Sequence, residues 1–220
     1  MKKVNSKTVY MALVCCFVIA SCDNDKTETS SSNKEIMKAQ SKTIDNMQSA
    51  YKGEKTATAK YEAFAKKAEE EGYHRISILY TAVSAAENIH ASNHKKVIED
   101  AGSTVPIITP EYKVKSTIEN LGGDIEGEAY EAKTMYPDFI KTAETAENQI
   151  AILSLNYARK TEEKHNVFFQ QSLLNITNKT LNNLPSKYFV CPDCGNTYAT
   201  NAPKHCDFSL TDSDKFIVFQ

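Results

Sequence analysis

The chain has 220 residues and a formal net charge of −2: enough for one medium domain or one bundle with a small appendage, and no electrostatic footprint for nucleic acid. Glycine is scarce at 7 residues, while Ala, Lys and Glu are abundant, which favours helix over sheet. The six cysteines divide by position, and the odd trio near the C-terminus argues for a metal site over a tidy disulfide framework.

Residues 1–21 read as an export signal, with Lys2, Lys3 and Lys7 ahead of an apolar core from Val9 to Ala20 that is short for a membrane span. The run ends Ile19-Ala20-Ser21-Cys22, which resembles a bacterial lipobox. That likeness implies cleavage before Cys22, lipid on its thiol, and an exported protein anchored on the periplasmic or surface side of a bacterial membrane. An ordinary signal peptide that happens to adjoin a cysteine is the plainer alternative. Residues 22–33 are polar and without large apolar side chains, so a flexible tether is expected there.

Four helices are predicted between residues 34 and 180. In the first, Met47, Tyr51, Glu54, Thr58, Tyr61, Ala65 and Ala68 follow the alternating four-and-three spacing of a core-facing stripe. Gly72 breaks the run, and the second carries Ile76, Tyr80, Val83, Glu87, His90, His94 and Val97 inward. Residues 102–117, with Pro106 and Pro110, form a long connection of the kind that links helices running the same way. The third has Ile118, Leu121, Ile125, Glu128, Ala132, Met135 and Phe139 on its stripe, its start delayed by Gly122-Gly123 and its axis bent at Pro137. The fourth is expected from about Thr145 to Thr177, with Leu155, Ala158, Glu162, His165 and Phe169 inward.

Two motifs repeat across these helices. Gly53-Glu54 precedes Glu87-x-x-His90, and Gly127-Glu128 precedes Glu162-x-x-His165 at nearly the same interval, which reads as an internal duplication. Carboxylates set into an apolar stripe cost several kcal/mol each unless something compensates them. Ferritin-like bundles use this recipe around two metal ions: one Glu from each of two helices, and Glu-x-x-His from the other two. Glu131 adds a fifth carboxylate, and oxygen donors with two imidazoles suit iron or manganese, and zinc less specifically. His94, one turn beyond His90, is expected to be a core histidine or a hydrogen-bond partner of the site.

From residue 186 the composition changes. Tyr188-Phe189-Val190 runs into Cys191-Pro192-Asp193-Cys194-Gly195, with Cys206 further on and an apolar end at 215–220. Such a module is too small to stand on apolar burial alone.

Taken together, Gly53-Glu54, Ala68-Glu69-Glu70-Glu71-Gly72-Tyr73, Glu87-x-x-His90, Gly127-Glu128-x-x-Glu131, Met135-Tyr136-Pro137 and Glu162-x-x-His165 resemble the rubrerythrin family, over about Lys34 to the C-terminus. The resemblance implies an all-α four-helix ferritin-like bundle followed by a rubredoxin-like knuckle, and a site for two iron ions. By it Glu87 and Glu162 bridge the irons, Glu54 holds one, and Glu128 with His165 holds the other. Glu131 and His90 would be alternative ligands to the first iron. It further implies reduction of hydrogen peroxide to water, with an unidentified electron donor feeding the knuckle, and a homodimer in which one chain's knuckle approaches the other's irons. Tyr61 and Tyr136 would serve near the site, core tyrosines being the plain alternative. Ferrous-iron oxidation, or metal binding by a lipoprotein without turnover, would use the same ligands.

One position departs from the family's pattern. The second Cys-x-x-Cys is here Cys206-Asp207-Phe208-Ser209. Iron held as three thiolates and Ser209, iron taking Asp207, His205 or water in its place, a zinc knuckle, a disulfide, and no metal at all are the open alternatives.

Overall fold

A computed structural model describes the backbone of residues 25–220 and the side chains from 33 onward. The expected signal segment 1–21 and the lipidation expected at Cys22 lie outside the described residues. Helix α1 (Asp25–Glu70) packs along α2 (His74–Asp100); α3 (Thr117–Tyr130) passes through a π-helical segment, Glu131–Met135, into α4 (Tyr136–Thr145); and α5 (Gln149–Thr177) completes the bundle. The helix reaches back to Asp25, so residues 25–33, expected as flexible tether, are helical; they are polar but contain no Gly or Pro to stop a helix propagating from Lys34.

The helix ends explain the boundaries. After α1, Tyr73 N–H donates to Ala68 O and Gly72 N–H to Glu69 O, with Gly72 at φ 79°, a turn only a left-handed residue closes. The same turn follows α4, with Glu147 at φ 55°. It separates α4 from α5, so the last helix starts at Gln149 and not at Thr145. The third helix begins earlier than expected: Ser116 and Glu119 form a reciprocal capping box, which starts α3 at Thr117 and carries the two glycines inside it. Of the expected stripe Leu121, Glu128 and Ala132 are buried, but Ile118 is exposed and Asp124 is buried in addition.

Two fastenings set the course of the long connection. Gln48 Nε2 donates to Thr104 O at 2.8 Å, and Thr117 N–H donates to the Glu71 carboxylate at 2.9 Å. The second places the start of α3 beside the end of α1, where α2 also begins, so α2 and α3 run the same way.

The core is two apolar clusters with a polar layer between them. One holds Tyr61, Phe64, Leu79, Tyr80, Val83, Leu121 and Phe169; the other holds Met47, Val97, Ile98, Tyr136, Ala143 and Leu155. Along α1, α2 and α5 the acidic and imidazole positions fall between residues of the two clusters.

The C-terminal module is a three-stranded antiparallel sheet in the order β2–β1–β3: β1 is Tyr188–Val190, β2 Thr197–Ala199 and β3 Ile217–Phe219. Tyr188 and Val190 join the first bundle cluster, and Arg75 donates to Asn182 O and Leu184 O, pinning the segment that leads into β1. The module thus sits on the bundle of its own chain.

Candidate metal centres

Glu54, Glu87, His90 and Glu162 form one group of donor atoms within 4.8 Å of one another, and Glu87, Glu128, Glu162 and His165 form a second. All six residues are buried, and Glu87 and Glu162 belong to both groups. The geometry is therefore two adjoining pockets with two carboxylates between them, Glu54 and His90 on one side, Glu128 and His165 on the other. Glu131 lies half-buried on the π segment and outside both groups.

The duplication is visible in how the tyrosines cross. Tyr61, on the helix of Glu54, donates to Glu128; Tyr136, which follows the helix of Glu128, donates to Glu54. Tyr61 is seven residues after Glu54, two helical turns, but Tyr136 is eight after Glu128. The π segment absorbs the extra residue. It closes with Tyr136 N–H donating to Glu131 O, and Pro137, which has no N–H to give to the preceding turn, follows at once. This shift buries Tyr136 and leaves Met135 and Phe139 half-buried, against the unbroken stripe expected from their spacing.

His94 is buried, with Nδ1 2.8 Å from Ser154 Oγ and Nε2 3.3 Å from Tyr136 Oη. The Tyr136 proton is given to Glu54, so Nε2 is the nitrogen that donates, and Nδ1 accepts from Ser154. Burial, and then the charge of His90, push His94 down to about 3, so it is a neutral imidazole that steadies Tyr136.

Without cations the cluster holds protons. Burial, then the carboxylates beside them, push Glu54 and Glu128 well above the usual carboxylate range, and Glu131 stands at about 8 for the same reasons. For His165 burial disfavours the charged ring, but Glu87 and Glu162 outweigh it and raise the group to about 9. Glu87 is held low despite its burial by the two imidazoles. His90 Nε2, Glu128 Oε2, both Glu162 oxygens and His165 Nδ1 are buried without an aligned hydrogen-bond partner. His165 Nδ1 is 2.8 Å from Glu162 and 3.2 Å from Glu87, close but not directed. Four of these, Glu128 Oε2, both Glu162 oxygens and His165 Nδ1, face one layer together with His90 Nδ1, 3.1 Å from Glu162, and hard oxygens with two imidazole nitrogens are what a pair of divalent ions would satisfy; His90 Nε2 is turned the other way, toward Gly195.

A further ion pair was missed from sequence: half-buried Lys60 is 3.0 Å from buried Asp124, which also accepts from Tyr80 at 2.8 Å. Asp124 stands one turn before Glu128, a spacing that could have revealed it.

The sheet module brings Cys191, Cys194 and Cys206 together, all buried, free, and within 4.8 Å of one another. Cys194 and Cys206 are 3.4 Å apart, unbonded, and the other thiols hydrogen-bond Cys206, which lowers it. Ser209 Oγ faces the trio, 3.2 Å from Cys191 Sγ. His205 instead pairs with Asp212 at 2.7 Å, and Asp207 accepts from Tyr198 at 3.1 Å, so neither is turned toward the thiols.

This knuckle touches both histidines of the two donor groups, His90 and His165. A Cβ at Gly195 would lie 2.4 Å from His90 Nε2, so the position has no room for a side chain. His165 Nε2 is 3.0 Å from Thr197 Oγ1, whose own proton goes to Gly195 O at 3.1 Å. His165 is thus the donor through Nε2, and its Nδ1 faces the carboxylates. Lys164 donates to Asn196 at 2.6 Å and Asn93 to Asp193 O at 2.9 Å, fastening the same seam. Among the described residues, no helix is long and apolar enough to cross a membrane.

Known proteins share this arrangement. A Rubrerythrin family profile matches residues 45–173. Rubrerythrin-2 of Clostridium acetobutylicum is 34% identical over 179 residues, 80% of this chain and 96% of that protein. Nigerythrin of Nitratidesulfovibrio vulgaris is 29% identical over 179 residues, 80% of this chain and 86% of its own. The solved structure of fully reduced, all-ferrous nigerythrin superposes with a TM-score of 0.72 at 30% identity, covering 80% of this chain and 86% of that one. The chain belongs to the rubrerythrin family, with a carboxylate–histidine site of the diiron kind in its bundle and a cysteine knuckle beside it.

Proposed function

We propose that the protein reduces hydrogen peroxide to water at two iron ions in the bundle, with electrons from an unidentified donor entering through the knuckle. One observation carries this reading: the cysteine knuckle is seated on the two histidines of the carboxylate site, Gly195 against His90 and Thr197 on His165. A redox centre placed there would be separated from the bundle site by little more than a peptide and a ring.

Glu87 and Glu162 would lie between the two irons, with Glu54 and His90 to one side and Glu128 and His165 to the other. Two ferrous ions would supply the two electrons that cleaving the O–O bond takes, and two protons complete two waters. Tyr61 and Tyr136 fix the oxygens of Glu128 and Glu54 by donating to them, and so hold the carboxylates in place. The apolar clusters above and below exclude bulk water from that layer. Glu131, half-buried on the π segment and outside both donor groups, would be the alternative ligand to the first iron.

Replacing Glu162 by Ala removes a donor from both pockets, so both ions and peroxide consumption are expected to be lost together, read by metal analysis and by peroxide consumed per reductant. An active, fully loaded Glu162→Ala protein would refute the assignment. Faster reoxidation of the reduced protein by dioxygen than by peroxide would favour ferrous-iron oxidation instead. Export, with lipid on Cys22, belongs to the same proposal, supported by the basic, apolar and Ile-Ala-Ser-Cys order of residues 1–22. The mass of the mature N-terminal peptide tests it.

A further inference from the structure

The two turns of the knuckle are built alike. Cys191 N–H donates to Asn196 O at 3.0 Å and Gly195 N–H to Cys191 O at 3.0 Å; Cys206 N–H donates to Thr211 O at 2.8 Å and Leu210 N–H to Cys206 O at 3.0 Å. The fourth residue after each leading cysteine is left-handed, Gly195 at φ 77° and Leu210 at φ 63°. In this repeat Ser209 occupies the place that Cys194 holds in the first turn. The backbone therefore delivers its oxygen where a fourth thiolate would stand, 3.2 Å from Cys191 Sγ.

The hydrogen bonds around that oxygen have a direction. Ser209 Oγ is 2.6 Å from Thr211 Oγ1, and Thr211 Oγ1 is 2.5 Å from Asp193 Oδ2. A carboxylate only accepts, so Thr211 spends its one proton on Asp193. Its oxygen is left as an acceptor, and the Ser209 proton goes to it. The Ser209 lone pairs are thereby turned toward the three thiols, and a proton that would block a metal there is pulled away. Thr211 is buried, whereas Asp193 presents its side chain from the surface.

We infer that Thr211 and Asp193 are positioning residues that hold Ser209 as the oxygen ligand of a metal centre with Cys191, Cys194 and Cys206. The inference rests on the reading of the knuckle as a metal site. Without Thr211 the hydroxyl of Ser209 loses its hydroxyl acceptor and is free to donate to the Cys191 sulfur 3.2 Å away; without Asp193, Thr211 is free to donate to Ser209 and reverse the chain. Either change turns a proton into the ligand direction.

Cobalt(II) titration of the full chain tests this, because thiolate-to-cobalt charge transfer reports the knuckle and not the carboxylate site. Chelator competition gives the affinity, and near-ultraviolet circular dichroism confirms folding. Ser209→Ala, Thr211→Val and Asp193→Ala are each expected to weaken binding by about tenfold or more, as loss of an outer hydrogen-bond partner does at other metal sites. Thr211→Ser should bind as the unaltered protein does, and Ser209→Ala with Thr211→Val should be no weaker than Ser209→Ala alone. Unchanged affinity in both Thr211→Val and Asp193→Ala, with Ser209→Ala weakened, overturns the positioning roles. Unchanged affinity in Ser209→Ala overturns the ligand itself. A complete lack of the charge-transfer band in the unaltered protein overturns the reading of the knuckle as a metal site, and this inference with it.

Discussion

Single residues decide what the knuckle can do, because its apolar core is small. Leu210 shows how strongly the turn is imposed. It adopts φ 63° although it is a bulky residue, and it is 76% exposed, so it gains little from burial there. A non-glycine residue in this region costs about 1–2 kcal/mol, and glycine returns part of that as backbone entropy in the unfolded chain. Leu210→Gly should therefore raise unfolding stability by about 0.5–1 kcal/mol. Denaturant unfolding of the full chain measures it, and a lowered midpoint would mean that Leu210 makes a contact of greater worth than its strain. Gly195, at the matching place in the first turn, has a second constraint, since the ring of His90 fills the space a Cβ would need.

Among the elements, the π segment is the one that a reading of helical spacing missed. Seven residues separate Glu54 from Tyr61 and eight separate Glu128 from Tyr136, yet both tyrosines reach a carboxylate. Deleting the exposed Lys133 should close the segment into ordinary α-helix and keep Tyr136 two turns beyond Glu128. Inserting one alanine beside Lys133 should instead rotate Tyr136 by about 100° away from Glu54. We expect the deletion to leave the melting temperature within a few degrees and the insertion to lower it much further. Equal loss in both would show that the π segment is not an absorbed extra residue. Deletion also shifts Glu131, so metal loading in that variant reports what this carboxylate contributes.

At the scale of the whole molecule, the polar layer makes stability depend on pH once metal is removed. His165 rises from an ordinary 6.5 to about 9, so its contribution is full below 6.5 and is lost as pH climbs through 9. Glu131, raised to about 8 by burial and its neighbours, acts in the same direction, as do Glu54 and Glu128. His94 at about 3 acts oppositely, removing stability as pH falls below 6.5. The chelated protein should therefore lose melting temperature steadily between pH 6.5 and 9, and the metal-loaded protein should not, because cations replace the protons. A chelated protein whose melting temperature is flat over that window would show that the cluster is not proton-bound.

The sequence by itself determined the helical class, the duplicated pair of motifs and the stripes that carry Glu54, Glu87, His90, Glu128, Glu162 and His165 inward, because helical periodicity and the cost of burying carboxylates are local and legible. It also marked Cys191, Cys194 and Cys206 by their spacing, and Ser209 by its departure from the family's pattern. It did not show that the first helix reaches Asp25, that α3 begins at a capping box ahead of its glycines, or that Glu147 ends α4, since these turn on which backbone groups find partners. Nor did it show that Asp124, though spaced one turn before Glu128, pairs with Lys60 on another helix, or that Ser209 and Thr211 connect to Asp193 on the other turn of the knuckle. The seat of the knuckle on His90 and His165 was decided by the tertiary structure alone. It depends on Arg75 holding the segment into β1, and on Gly195 and Thr197 meeting rings from two different helices, contacts to which no periodicity points.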